Sequence, residues 1–219
     1  MKAVIFDLDG TLTNTLDAIA HFGNLSLAAN GFGAIEKNKY KYLVGDGRVL
    51  LIHRMLKCFD ADTYENYEKV AAVYDKHYEA DPMYMTDAYD GMREVIAVLR
   101  ESGIKTAVCS NKPDNVVNDV VKKVFGENSF DYVCGVREGM PTKPDPAAAL
   151  EIARFLGVKP EECIFTGDTS VDMNTAKNAG MTSIGVLWGF RDRAELEAAG
   201  AMHIISSPSE YLKYILLEE

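Results

Sequence analysis

A chain of 219 residues, 47% hydrophobic and 26% charged, is long enough to bury one large core or a core carrying an insertion. Its formal net charge of -10 excludes a protein whose main work is to hold nucleic acid, since that binding draws its affinity from Lys and Arg. What remains open as a partner is a small anionic molecule, provided local cations or a metal offset the overall sign.

The first element is the apolar run Ala3-Val4-Ile5-Phe6, which predicts a short buried strand. Only four apolar residues separate Lys2 from Asp7, and no later run approaches membrane-spanning length, so neither a signal peptide nor a membrane partner is expected and the expected location is cytoplasmic. The strand ends in Asp7 and Asp9. Residues two apart in extended chain share a face, so both carboxylates address one cleft, and Gly10 permits a sharp turn behind them. Two unit charges ~4 Å apart repel by about 4 kcal/mol at an effective dielectric near 20, which calls for a compensating cation. A calcium loop starting at Asp7 fails, because its glycine position holds Leu12 and its closing acidic position holds Ala18.

From about residue 15 to 83 the texture changes. "LDAIAHFGNLSLAAN", "GRVLLIHRML" and "TYENYEKVAAVYDKHYEA" all have helical spacing and no strand stands out, so this stretch reads as a helical insertion; "EADPMYM" and "AYDG" mark the return. Gly45 and Gly47 flank Asp46 in a loop suited to closing over a ligand. Arg48 follows, and its guanidinium fork suits a carboxylate or second anionic group. Arg54, His53 and Arg191 are weaker candidates for that role, and the apolar setting of His53 points to a packed helical face. His21, His77 and His203 read as structural.

After residue 89, the runs at 105–110, 163–167, 182–186 and 203–205 alternate with helical segments, the pattern of βαβ units and a parallel sheet. Polar residues follow these strands where open α/β sheets bind ligands: Ser110 and Asn111, then Lys143 in "MPTKPDP", then Asp168 and Asp172 in "FTGDTSVDM". Each has a plain structural reading, as a helix cap or a solvated loop residue. Cys58, Cys109, Cys134 and Cys163 lie far apart without C-x-x-C pairing and are expected to be buried free thiols.

As an ordered set, Asp-x-Asp-Gly-Thr, Ser-Asn, Lys-Pro and Gly-Asp-x-x-x-Asp resemble the four motifs of the haloacid dehalogenase-like hydrolase superfamily. Within it, "VGDGRVLLIHRML", "GMPTKPDP" and "GVLWGFRDRAELEAAGA" look like the phosphoglycolate phosphatase group. The resemblance implies an α/β fold with a Rossmann-like parallel sheet core, residues 1–14 and 84–219, and an inserted helical cap, residues 15–83. It implies a phosphate monoester hydrolase with Asp7 as nucleophile and Asp9 as acid and then base. Ser110, Asn111 and Lys143 would bind the substrate phosphate, assisted by backbone amides around residues 8–10. Mg²⁺ would sit on Asp7, Asp168 and the backbone carbonyl of Asp9, with Asp172 orienting Lys143 or a water from behind.

Asp9 favours ester hydrolysis over two other branches: a halide leaving group needs no proton, and the transport ATPases have Thr at that place. A sugar-phosphate mutase, a nucleotidase or a pyrophosphatase stays open, as does a monomer or a homodimer. An aspartyl-phosphate switch or a non-catalytic interaction protein is the reading from another class, and the helical insertion and Asp9 speak against it.

Overall fold

The computed structural model describes residues 1–216; the expected core boundary at 219 lies outside the described residues. Strand β1 (Ala3–Phe6) leads through a tight loop to β2 (Thr13–Asn14). Helices α1 (Leu16–Ala29), α2 (Lys37–Leu43), α3 (Arg48–Lys57) and α4 (Tyr64–Ala80) follow, and β3 (Asp87–Ala88) brings the chain back. The return contains α5 (Met92–Glu101), β4 (Lys105–Pro113), α6 (Asp114–Phe125), β5 (Tyr132–Val136), α7 (Ala147–Leu156), β6 (Cys163–Gly167), α8 (Ser170–Ala179), β7 (Thr182–Val186), α9 (Arg193–Ala198), β8 (His203–Ile205) and α10 (Pro208–Leu216).

The larger sheet has the order β5-β4-β1-β6-β7-β8 with every pairing parallel. This is a Rossmann-like core, with β1 at its centre between β4 and β6. The alternation in β1 explains why both faces are covered. Val4 and Phe6 join one apolar cluster, which continues into α1, α3 and α4, while Ala3 and Ile5 join a second with Ile152, Phe165 and Ala176. Because one apolar cluster spans sheet and insertion, the helical cap is packed on the core.

The β1, β4, β6, β7 and β8 runs are strands as expected, and the three segments of helical spacing are α1, α3 and α4. Three features differ from the sequence reading. Strand β5, at the sheet edge and interrupted by Gly135, and the seven-residue helix α2 do not stand out in the sequence, and β2 pairs antiparallel with β3, tying together the two crossings between core and cap. Among the cysteines, Cys109, Cys134 and Cys163 are buried and free, whereas Cys58 is free but exposed. Its place just past the last turn of α3 sets it outside the apolar stripe formed by Leu51, Ile52, Met55 and Leu56. Among the described residues no helix is long and apolar enough to cross a membrane.

Candidate active site

The ends of β1, β4 and β6 meet at one point, and the parallel registers place them side by side: Phe6 is level with Val108 and with Thr166. The residues that follow therefore converge. Beyond β1, the amides of Leu12 and Thr13 both donate to the Leu8 carbonyl, and Gly10 takes a left-handed φ of 87°. A Cβ on Gly10 would stand 2.4 Å from Asp168 Oδ2, so both the turn and the close approach require glycine.

Asp7, Asp168 and Asp172 are buried, and one carboxylate oxygen from each lies within 4.8 Å of the others. Lys143 Nζ donates to Asp7 Oδ1 and to Asp172 Oδ1, each at 2.7 Å. One buried cation thus faces three buried acids. Burial pushes the Asp7 carboxyl up to about 7 despite the opposing pull of Lys143. Burial, with Asp172 and Asp7 nearby, also holds the Asp168 carboxyl well above the usual range. The cluster is short of positive charge, and its all-oxygen donors fit a small hard divalent cation.

Asp168 accepts at both oxygens, from Thr11 Oγ1 at 3.1 Å and from the Phe190 amide at 2.7 Å. Glycine is again needed nearby: a Cβ on Gly189 would meet Asp168 Cβ at 2.3 Å. Asp172 occupies the third position of α8, where its Oδ2 accepts from the Thr169 amide and hydroxyl. With Oδ1 taken by Lys143, this carboxylate is fully engaged in capping its own helix and steering the lysine.

Asn111 uses both ends of its amide on the Lys143 backbone, accepting from its N–H at 2.8 Å and donating to its carbonyl at 3.1 Å. Ser110 is buried beside it, and its Oγ accepts from the Lys112 amide at 3.3 Å. Lys112 itself was not singled out from sequence. Its Nζ donates to Asp9 Oδ1 and to Tyr78 Oη of α4, each at 2.7 Å, linking core to cap. The available signal was its spacing of two from Ser110 in a strand end, which gives both residues one side of the chain.

Between cap and core lies a cavity of about 80 Å³. Its lining includes Asp7, Asp9, Ser110, Lys112, Arg48 and Tyr78. Arg48 reaches this wall as expected, but its guanidinium is paired with Asp75. Arg54 pairs with Asp46, and His53 pairs with Asp62 while stacking on Tyr67. Arg191 donates to the Lys41 and Val44 carbonyls and pairs with Glu195, so it clamps the cap loop to the core.

A family model described as Haloacid dehalogenase-like hydrolase matches residues 4–186. The chain belongs to this family. Among haloacid dehalogenase-like relatives, it is 30% identical over 209 residues to a phosphoglycolate phosphatase of Rhodospirillum rubrum, covering 93% of this chain and 86% of that one. A phosphoglycolate phosphatase of Aquifex aeolicus is 28% identical over 213 residues, with 97% and 96% covered. The crystal structure of a proposed phosphoglycolate phosphatase from Lactobacillus delbrueckii subsp. bulgaricus superimposes with a TM-score of 0.93 at 29% identity, covering 98% of both chains. The family fold together with the buried aspartate cluster makes this haloacid dehalogenase-like protein an enzyme of the phosphatase type.

Proposed function

We propose that the enzyme hydrolyses a small phosphate monoester, 2-phosphoglycolate, through an aspartyl-phosphate on Asp7. The observation that carries this reading is the convergence of Lys143 and Asp168, drawn from across the chain, on Asp7, which with Asp9 lines the cavity between cap and core. The similarity to phosphoglycolate phosphatases over nearly the whole chain supports the choice of ester.

Asp7, Asp168 and the Asp9 backbone carbonyl would hold Mg²⁺, which supplies charge neutralisation between the carboxylates and the phosphoryl oxygens. Asp7 attacks phosphorus, and the bond to the ester oxygen breaks. Asp9 gives that oxygen its proton, then takes one from the water that attacks the aspartyl-phosphate, so one side chain serves both half-reactions. Lys143 and the Ser110 hydroxyl balance charge on the transferring group. Asn111 acts by holding the Lys143 backbone rather than by binding phosphate, and Asp172 holds the ammonium from behind.

The test is a panel of phosphate monoesters compared by kcat/KM with Mg²⁺ present. The highest value for 2-phosphoglycolate is expected. A clear preference for nucleotides, or for sugar phosphates with phosphoryl transfer to the sugar, overturns the assignment.

A further inference from the structure

The cavity wall carries two cations of different character. Arg48 is about a third exposed, at 32%, and its partner Asp75 is exposed to a similar degree. Lys112 is at 8% and sits against Asp9, the residue assigned to the ester oxygen. An ion pair at a buried cation is screened far less than one at an exposed guanidinium.

Position adds to this. Lys112 Nζ stands 2.7 Å from Asp9 Oδ1. A phosphate ester whose bridging oxygen meets the Asp9 carboxyl would bring a carboxylate on its ester carbon toward this ammonium. An ammonium has three donors. Among the described residues two are taken, by Asp9 and by Tyr78, and the third is left for a ligand in the cavity that Lys112 lines. Ile19, Val44, Leu51 and Val116 give the cavity apolar walls. Tyr78 presents its ring 5.0 Å from the same Nζ and belongs to the cap, so the cation is held from the cap as well as by Asp9 of the core.

We propose that Lys112 is the specificity residue for the leaving group, binding a carboxylate borne on the ester carbon. The proposal rests on the reading of this site as a hydrolase for a small carboxylated phosphate ester. Two-carbon 2-hydroxy acids esterified with phosphate are then the substrate class, and Arg48 is not the reader of their charge.

The experiment uses two uncleavable ligands in which a methylene replaces the ester oxygen: 3-phosphonopropionate, which keeps the carboxylate, and propylphosphonate, which lacks it. Affinities are measured by calorimetry on the full-length protein with Mg²⁺. The unsubstituted enzyme is expected to prefer the carboxylated ligand by about tenfold or more. Lys112→Met is expected to reduce that preference to within about twofold, and Lys112→Arg to keep part of it. Lys112→Gln, which retains a donor for Asp9 and Tyr78 without the charge, serves if the Met variant does not fold, and the same loss is expected. A preference that survives both neutral variants overturns the proposal, most directly if Arg48→Ala abolishes it instead. An unsubstituted enzyme that binds both ligands equally overturns the 2-phosphoglycolate reading itself, and this proposal with it.

Discussion

Lys143→Met removes one charge while keeping most of the side chain's volume, and the structure sets what should follow. Lys143 and Asp172 side chains are only 3% and 2% exposed, so solvent does little to screen their contact. A pair of unit charges 2.7 Å apart attract by about 6 kcal/mol at an effective dielectric near 20. Much of this is offset by the desolvation of the lysine itself, and removing one partner from a buried pair costs about 3 to 5 kcal/mol net because an unmatched charge stays behind. The size of the loss should depend on pH. The Asp7 carboxyl in the folded protein lies above its ordinary value, at about 7, so it binds more protons than the unfolded chain. Its contribution to stability is present below the unfolded value and is lost as pH rises through about 7. Without Lys143 that carboxyl moves further up. At pH 5.5 the raised carboxyls of Asp7 and Asp168 remain protonated and the loss should be below about 2 kcal/mol, whereas at pH 8 the full 3 to 5 kcal/mol should appear. The assay is urea unfolding followed by circular dichroism in excess EDTA, with the slope m compared to verify that the same surface is exposed. Equal losses at the two pH values, or a loss under about 1 kcal/mol at pH 8, would refute the description of Lys143 as the buried cation that balances Asp7 and Asp172.

Three further outcomes are expected. Asp7→Asn should reduce phosphate release to background, because a neutral amide is a poor nucleophile, yet its midpoint temperature in EDTA at pH 8 should equal or exceed that of the unsubstituted protein; turnover in that variant would remove Asp7 as nucleophile. Gly189→Ala should cost about 1 to 3 kcal/mol of stability and raise the Mg²⁺ concentration needed for half-maximal activity, since its Cβ would press on Asp168 from 2.3 Å; a metal titration decides, and an unaltered midpoint would refute the crowding argument. Saturating Mg²⁺ should raise the unfolding temperature more at pH 8 than at pH 5.5, because the raised carboxyls of Asp7 and Asp168 must lose protons to bind an ion. Equal increments at both pH values would show that these carboxyls are not the ligands.

Much of this protein is legible in its sequence because the relevant forces are local. An apolar run that stops at Asp7, or at Ser110, or at Asp168, marks a strand whose end meets solvent or ligand, and the switch from β-branched runs to helical spacing between residues 15 and 83 marks the inserted helices. The order of the motifs along the chain is also enough to identify the family they resemble. Those signals say which residues follow strands, and the parallel registers of β1 with β4 and β6 then bring them together.

What only the tertiary structure decided is which charges meet. Lys112 reads as one lysine among many until β4 carries it to Asp9 and α4 brings Tyr78 from the cap. Asn111 reads as a phosphate ligand, and the fold sets its amide on the backbone of Lys143, 32 residues away; Arg48 reads as a contact for an anionic group, and the fold pairs its guanidinium with Asp75 of α4. The β2–β3 ribbon is too short to show a period, and β5, an edge strand interrupted by Gly135, is held by its neighbour β4 rather than by local preference. Burial and pairing energies depend on distances between residues far apart in the chain. A single sequence encodes such distances only through the whole packing, whereas strand and helix periods are repeated every two to four residues and can be read directly.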